Sequence, residues 1–327
     1  MDEFYLIEKI KKIIKRRPRA LVRGIGDDCA VVSPPQNRKI LVSSDSLAEG
    51  VHFDFRYTSA ECLGRKAAAI NISDIYAMGG IPLYMILNIG ISLNRGAFDT
   101  EKMIRAFSRY SEKHGACLIG GDTVRAKSFF LSVTVIGEAK TEHLMTRFGA
   151  KPGDRLFVTG FPGESGAGFY ALRNPKKCRG IKSSEALKKR HLEPDLDPVK
   201  SRVLARGGVV SSCLDVSDGL VSDAGRIARE SSCGICIEYE KLPVSGKLRD
   251  FSRKIKKDPR EFVLYGGEDY ELLFTAAEES AGETVRYCAK RGVRVSDIGF
   301  VTGRSGICIE KNSKKEKVDD SKVWKHF

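Results

Sequence analysis

Apolar positions set the frame of the chain. Phe4, Ile7, Ile10 and Ile14 recur every three to four residues, which predicts an amphipathic helix over 4–15. Short apolar runs at 29–32 and 40–43 read as strands. Thr58 and Ser59 are N-cap types with Glu61 just behind them, so a helix should start there, run through Asp74 and stop at Gly79-Gly80 before Pro82. A strand over 83–91, a helix over 99–114 closed by Gly115, and strands over 117–119 and 129–137 complete the first half. Lys151-Pro-Gly-Asp154 is turn chemistry, and the domain boundary is placed just before it, giving domains 1–148 and 149–327. The second half opens with a strand (155–159), a Gly-rich turn and a helix (165–172). Helices at 183–190, 197–206, 220–231, 245–256 and 279–291 then alternate with strands at 212–216, 235–239, 270–275, 296–301 and 306–310. Strands and helices mix in both halves, so the fold class is α/β or α+β.

Composition narrows the setting. The 327 residues are 42% hydrophobic and 30% charged, a globular balance with room for two cores. No apolar run reaches the roughly 20 residues of a membrane span, and Met1-Asp2-Glu3-Phe4 does not resemble a secretory leader. The expected location is the cytoplasm. Nine cysteines, an odd number, read as reduced thiols; Cys233-Gly-Ile-Cys236 has no second pair or histidines to make a metal site. The net charge of +14 gathers at 9–19, 173–190, 247–257 and 311–322, without the interleaved aromatics that stack on bases. It reads as solvated surface, with no nucleic acid and no membrane as partner.

The acids carry more information than the bases. Gly24-Ile-Gly-Asp-Asp28, Val42-Ser-Ser-Asp45, Asn71-Ile-Ser-Asp74, Leu118-Ile-Gly-Gly-Asp122-Thr123, Leu214-Asp215-Val-Ser-Asp218-Gly219 and Tyr265-Gly-Gly-Glu268-Asp269 each end an apolar or glycine-rich segment in a carboxylate. Ordinary caps and turns account for any one of these alone. All of them, read at strand ends or on one helix, fall where α/β sheets bind ligands. Clustered carboxylates need cations, and hard oxygen donors select Mg²⁺ or Ca²⁺. Mg²⁺ held by a few carboxylates and substrate phosphates points to a polyphosphate. The glycines would let backbone N–H groups reach it. Neither a GxxxxGK[ST] loop nor a GxGxxG after a strand is present.

In order along the chain, Gly24-Ile-Gly-Asp-Asp-Cys-Ala30, Ser43-Ser-Asp45, Gly50-Val-His-Phe53, Asn71-Ile-Ser-Asp-Ile-Tyr-Ala-Met-Gly79, Ile119-Gly-Gly-Asp-Thr123, Gly149-Ala-Lys-Pro-Gly-Asp154, Asp215-Val-Ser-Asp-Gly-Leu220 and Gly266-Gly-Glu-Asp-Tyr-Glu-Leu272 closely resemble the thiamine-monophosphate kinase family. The resemblance runs from about residue 4 to Trp324. It implies the ATP-binding superfamily of aminoimidazole ribonucleotide synthetase and selenophosphate synthetase. Their two-domain fold has mixed sheets flanked by helices, and the N-terminal domain binds ATP and Mg²⁺ and dimerises through its sheet. The implied reaction is ATP plus thiamine monophosphate giving ADP plus thiamine diphosphate.

Carried over by motif, the resemblance implies a shell for several Mg²⁺ ions made by Asp28, Ser43, Ser44, Asp45, Asp74, Asp122, Asp215 and Asp218. Asp45, Asp122 and Asp218 are the implied catalytic acids. Gly121, Asp122, Arg147 and Ser217 would contact ATP, and His52, Glu268 and Trp324 the thiamine phosphate. Where the family often has a tyrosine before the Gly-Gly-Asp strand, this chain has His114. Another member of the superfamily is the alternative enzyme, and the Glu268 motif and Trp324 speak against it. A nucleic-acid-binding protein would explain the charge but not the acids.

Overall fold

A computed structural model of the chain describes residues 12–14, 21–23, 31–32, 38–92, 99–319 and 321–323. The expected 4–15 helix lies outside them except at 12–14, of which 12–13 are helical, and only 31–32 of the expected 29–32 strand is described. The chain divides into two compact units. The first holds the described residues up to Tyr76 and Gly80–Thr141, the second Ala77–Gly79 and everything from Glu142 on.

In the first unit, β1 (Leu21–Arg23) pairs antiparallel with β2 (Val31–Val32). Strands β3 (Arg38–Ala48), β4 (Ile81–Ser92), β5 (Cys117–Ala126) and β6 (Phe130–Lys140) form a separate sheet in the order β3-β6-β4-β5. The β4–β5 pair is parallel and the others antiparallel. Two helices, α1 (Ala60–Ala77) and α2 (Thr100–Lys113), supply its core. Ser59 Oγ accepts from Cys62 N (3.2 Å) at the start of α1, and Asp99 accepts from Lys102 N (3.1 Å) at the start of α2. Leu63, Ala67, Ile72 and Ile75 of α1 and Met103, Ile104 and Phe107 of α2 are buried. Beneath them lies one face of the sheet, with Leu131, Val133 and Val135 of β6 and Met85, Leu87 and Ile89 of β4. The alternation of β6 is strict: odd residues from 131 to 139 are buried and even ones from 130 to 138 half-buried. The even-numbered face is the outer face of this sheet.

The strands at both edges are longer than their apolar runs suggest. β3 continues from the expected 40–43 through Ser44, Asp45 and Ser46, and β5 continues from 117–119 through Gly120, Gly121 and Asp122 to Ala126. Asp45 and Asp122 therefore sit inside strands, not at strand ends. Both belong to edge strands, where polar side chains and glycine are tolerated because one ladder is missing.

The second unit is a seven-stranded sheet of β7 (Arg155–Thr159), β8 (Ser212–Asp215), β9 (Gly234–Glu238), β10 (Leu272–Ala276), β11 (Val295–Thr302), β12 (Gly306–Lys311) and β13 (Lys314–Lys317), ordered β13-β12-β9-β11-β7-β10-β8. Its helices are α3 (Glu164–Arg173), α4 (Lys182–Leu192), α5 (Pro198–Gly207), α6 (Leu220–Glu230), α7 (Gly246–Ile255), α8 (Pro259–Tyr265) and α9 (Ala281–Ala289). Both faces of the central strands are covered. Leu156, Val158, Leu214 and Leu273 pack with Ala167, Leu187, Ala224 and Phe251. Phe157, Cys213, Leu272 and Phe274 pack with Leu204 and Cys288 on the other side. Burial on both faces explains why these strands read as continuous apolar runs. The short α8 is not marked by periodicity; it starts at Pro259, capped by Asp258, which accepts from Arg260 N at 2.9 Å. Cys233 and Cys236 are buried apolar packing, and the described cysteines are free thiols. Burial, reinforced by the neighbouring Cys308 across the β9–β12 pair, pushes Cys236 up to about 12.

Candidate active site

The first unit brings together Ser43, Asp45 and Asp74. Ser43 and Asp45 are alternate residues of β3, so both face the helices. Ser43 Oγ donates to Asp74 Oδ2 on α1 at 2.5 Å. The fully buried Asn71, one turn earlier on α1, accepts from Asp45 N (3.2 Å) through Oδ1 and donates to Ala67 O (3.0 Å) through Nδ2. One helix thus supplies a carboxylate and fixes the strand that carries the other. Asn71 stood inside a motif of the sequence, but nothing there marked its amide as a brace. His52 is placed just past β3, where its Nδ1 accepts from Ala48 N (3.1 Å) and its carbonyl accepts from the buried Lys66 Nζ (3.3 Å).

Ser44 and Asp122 lie elsewhere. Ser44 points to the outer face, where Oγ donates to Val133 O and meets Thr134 Oγ1, both at 3.0 Å. The register Ser46↔Ser132↔Asn88↔Asp122 puts Asp122 on that outer face as well. Asp45 is three strand spacings away, about 14 Å, on the opposite face. Within this chain Asp45 and Asp122 therefore do not face a common point. Gly121, beside Asp122, has φ +153, and a Cβ there would lie 1.9 Å from Leu87 O, so β5 approaches β4 as only glycine allows. His114 is buried at the end of α2, 3.0 Å from Tyr76 Oη and against the Tyr110 ring at 4.5 Å.

The second unit gathers Asp215, Ser217 and Asp218 at the end of β8. The buried Asp215 ends the strand, and Gly219 opens α6 at φ +104. Asp223, one turn into α6 and fully buried, accepts from Ser217 N (2.9 Å) and Asp218 N (3.1 Å). Arg226 donates to Asp223 Oδ1 at 2.8 Å and pairs with Asp218. Burial pushes the Asp223 carboxyl up to about 8; Arg226 pulls it down, and Asp215 and Asp218 raise it further. Asp223 and Arg226 were missed in the sequence, where they look like an ordinary first-turn acid and an i,i+3 surface partner. Arg147 is exposed, and its carbonyl accepts from Ser231 Oγ (3.2 Å).

The Gly266–Glu271 segment is knitted to the same loop. Glu268 N donates to Ser217 O (2.8 Å), Tyr270 N to Val216 O (2.9 Å), and Val216 N to Glu271 O (2.7 Å). Glu268 and Tyr270 hold positive φ of 61 and 52, costly for residues with a Cβ and sustained by these contacts. Burial raises Asp269 to about 7, although Gly163 N (2.6 Å) and Ser165 N (3.1 Å) donate to it. Burial also opposes ionisation of Glu271, but Lys200 (2.6 Å), Arg190 (3.2 Å) and Thr159 (2.6 Å) outweigh it and hold this carboxyl below the usual glutamate range. Asp28 and Trp324 lie outside the described residues. Among the described residues no three His, Cys, Asp or Glu side chains close on a single point.

Residues 26–139 match the AIR synthase related protein N-terminal domain and 151–310 the corresponding C-terminal domain. The chain is 34% identical to thiamine-monophosphate kinase of Aquifex aeolicus, covering 100% of this chain and 98% of that one. It is 33% identical to the Escherichia coli enzyme of the same name, over 99% and 97%. The chain belongs to the thiamine-monophosphate kinase family. Among solved structures, a thiamine-monophosphate kinase from Stenotrophomonas maltophilia superposes with TM-score 0.80 at 29% identity, covering 96% of this chain and 98% of that one. One described as AaThiL complexed with AMPPCP and TMP superposes with TM-score 0.79 at 33% identity, covering 99% and 97%. The two-domain fold expected from the motifs is that of the kinase family, and both domain models fall on the units described above.

Proposed function

We propose that this chain transfers the γ-phosphoryl group of ATP to thiamine monophosphate, giving ADP and thiamine diphosphate, with Mg²⁺, as a cytoplasmic homodimer. The observation that carries this reading is the end-to-end match to thiamine-monophosphate kinases, including one solved with AMPPCP, an ATP analogue, and TMP. The bond that breaks joins Pγ to the β–γ bridging oxygen, and the bond that forms joins Pγ to a phosphate oxygen of the acceptor. A phosphate monoester has its second pKa near about 6, so the acceptor oxygen is already deprotonated at neutral pH and needs no protein base.

The residues suit hard cations. Ser43 Oγ and Asp74 Oδ2 touch at 2.5 Å, and Asp45 lies two residues on along the same strand face, an all-oxygen set. Asp215, Asp218 and Asp223 all bear on one guanidinium, that of Arg226. The residues that would hold Mg²⁺ are Asp28, Ser43, Ser44, Asp45, Asp74, Asp122, Asp215 and Asp218. When bound, Mg²⁺ would neutralise the repulsion between the ATP polyphosphate and the acceptor phosphate and favour in-line transfer. Gly121, Asp122, Arg147 and Ser217 would hold ATP; an exposed arginine suits phosphate oxygens. His52, Glu268 and Trp324 would hold the thiamine phosphate.

The homodimer reading rests on the outer face of the first unit's sheet, where Ile40 (48% exposed), Val42 (66%), Ile81 (52%) and Val124 (44%) lie on one side. Asp122 shares that face and would turn toward the second copy. Free thiols among the described cysteines suit a reducing compartment. No described helix is long and apolar enough to cross a membrane. The test is turnover: thiamine monophosphate, ATP and MgCl₂ should yield thiamine diphosphate and ADP in equal amounts. ADP release without thiamine diphosphate would refute the reading.

A further inference from the structure

Four residues in a row, Glu268 to Glu271, include three acids, and the fold treats them differently. Asp269 is fully buried and caps the start of α3 through Gly163 N and Ser165 N. Glu271 is buried and spent on Lys200, Arg190 and Thr159. Glu268 alone of the three keeps a side chain 25% exposed, and His191 Nδ1 lies 3.0 Å from its Oε2. That imidazole is itself only 7% exposed. Ser165 Oγ meets the same Nδ1 at 3.1 Å, and the Phe169 ring lies against the imidazole with centroids 5.1 Å apart. The preceding residue, Arg190, donates to Asp269 O at 2.7 Å. The last turn of α4 thus grips this segment at consecutive positions, the backbone through Arg190 and the one accessible carboxylate through His191.

We propose that His191 is a positioning residue for substrate. By holding Glu268 through Nδ1–H, with Ser165 and Phe169 fixing its ring, it aims the carboxylate at the nitrogen-rich organic part of the phosphate acceptor. This rests on the kinase reading above. An ionised glutamate only accepts hydrogen bonds, so it suits an amino-substituted or cationic heteroaromatic ring and not the acceptor's phosphate. The contact is remote from the transferred group, so its loss weakens binding of the ground and transition states alike and falls on KM. A left-handed φ at Glu268 leaves little backbone freedom to find the orientation again once the partner is gone.

The experiment is steady-state kinetics on the full chain with Mg²⁺, varying thiamine monophosphate and ATP separately. His191→Leu should raise KM for thiamine monophosphate about tenfold, the scale of a hydrogen bond to a charged group. The KM for ATP and kcat should stay within twofold. His191→Asn, whose amide nitrogen takes the place of Nδ1, should recover most of the loss, and His191→Gln, which presents its amide at the Nε2 position, should not. If the leucine variant does not fold, the Asn and Gln pair carries the comparison. In a Glu268→Gln background, His191→Leu should add little, because the residue acts through that carboxylate. Unchanged KM for thiamine monophosphate, an equal rise for ATP, no difference between Asn and Gln, or full additivity with Glu268→Gln would each overturn the proposal. A wild-type chain that makes no thiamine diphosphate would instead refute the kinase reading itself.

Discussion

Asp45 shows what a single side chain does at this site. Its backbone N–H is tied to Asn71, while its carboxylate is exposed on the strand face that also presents Ser43. Structure and chemistry are thus separated within one residue. Asp45→Asn keeps the backbone bond and the side-chain shape but removes one charge from the proposed metal-binding set. Turnover should fall by about 10²-fold or more, the scale of losing one preorganised electrostatic contact, while stability stays within about 0.5 kcal/mol. Steady-state rates beside a urea melt check both, and near-normal turnover would remove Asp45 from the metal shell. Asn71→Leu should behave in the opposite manner. It leaves the charges intact but deprives a backbone donor of its acceptor, so it should cost about 1–3 kcal/mol of stability in the same melt.

At the scale of elements, β5 depends on a glycine and the Glu268 segment on a buried ion cluster. Gly121→Ala would drive a Cβ into Leu87 O and should destabilise by about 3 kcal/mol, read as a lower denaturation midpoint. Glu271 predicts a pH signature. Its folded pKa lies below the ordinary glutamate value of 4.5, so the stability it contributes is fully present above the unfolded pKa and is lost as pH falls through the folded one. Glu271→Gln should cost about 3 kcal/mol at pH 5, and its gap to wild type should narrow below about pH 4. The Glu271 charge also helps to raise Asp269 to about 7, so the comparison is read at pH 5 and below, away from the Asp269 titration. A gap that held constant down to pH 3 would show that the Glu271 carboxylate is not the ion responsible. Legibility in the sequence follows the same physics. The helices capped by Ser59 and Asp99, and the doubly buried β7 and β10, announced themselves through caps and apolar runs. The continuations of β3 and β5 did not, because an edge strand needs neither apolar alternation nor bulky residues. Motifs singled out Asp45, Asp74, Asp215 and Asp218 as candidates. Asn71 and His191 make contacts to distant parts of the chain that no local spacing encodes, and the i,i+3 spacing of Asp223 and Arg226 looks like that of any surface pair.

For the whole molecule, the two faces of the first unit's sheet have different work. Helices α1 and α2 bury one; the other leaves Ile40, Val42, Ile81 and Val124 in view, spread over three of its four strands. Scattered exposed apolar residues such as Val124 are ordinary, but Ile40 and Ile81, which align on the same residue of β6, with Val42 next to them, make a patch of the kind an interface core uses. Ser44, Ser46, Asn88 and Asp122 lie on the same face, so a second copy seated there would bury polar groups that need partners as well as apolar ones. Val42 is the most exposed of the patch and sits on an edge strand, away from the α1–α2 core. Val42→Lys should therefore leave the folded unit intact, since lysine is accepted on an exposed edge position, yet place a charge within the proposed contact. Sedimentation should shift from dimer to monomer at micromolar concentration, with the thermal melt of the monomer still cooperative. If Asp122 works across that interface, turnover should fall together with the dimer and recover at protein concentrations that restore it. A variant that stays dimeric, or a monomer with full activity at every dilution, would place the dimer contact, or the Asp122 contribution, somewhere else on the chain.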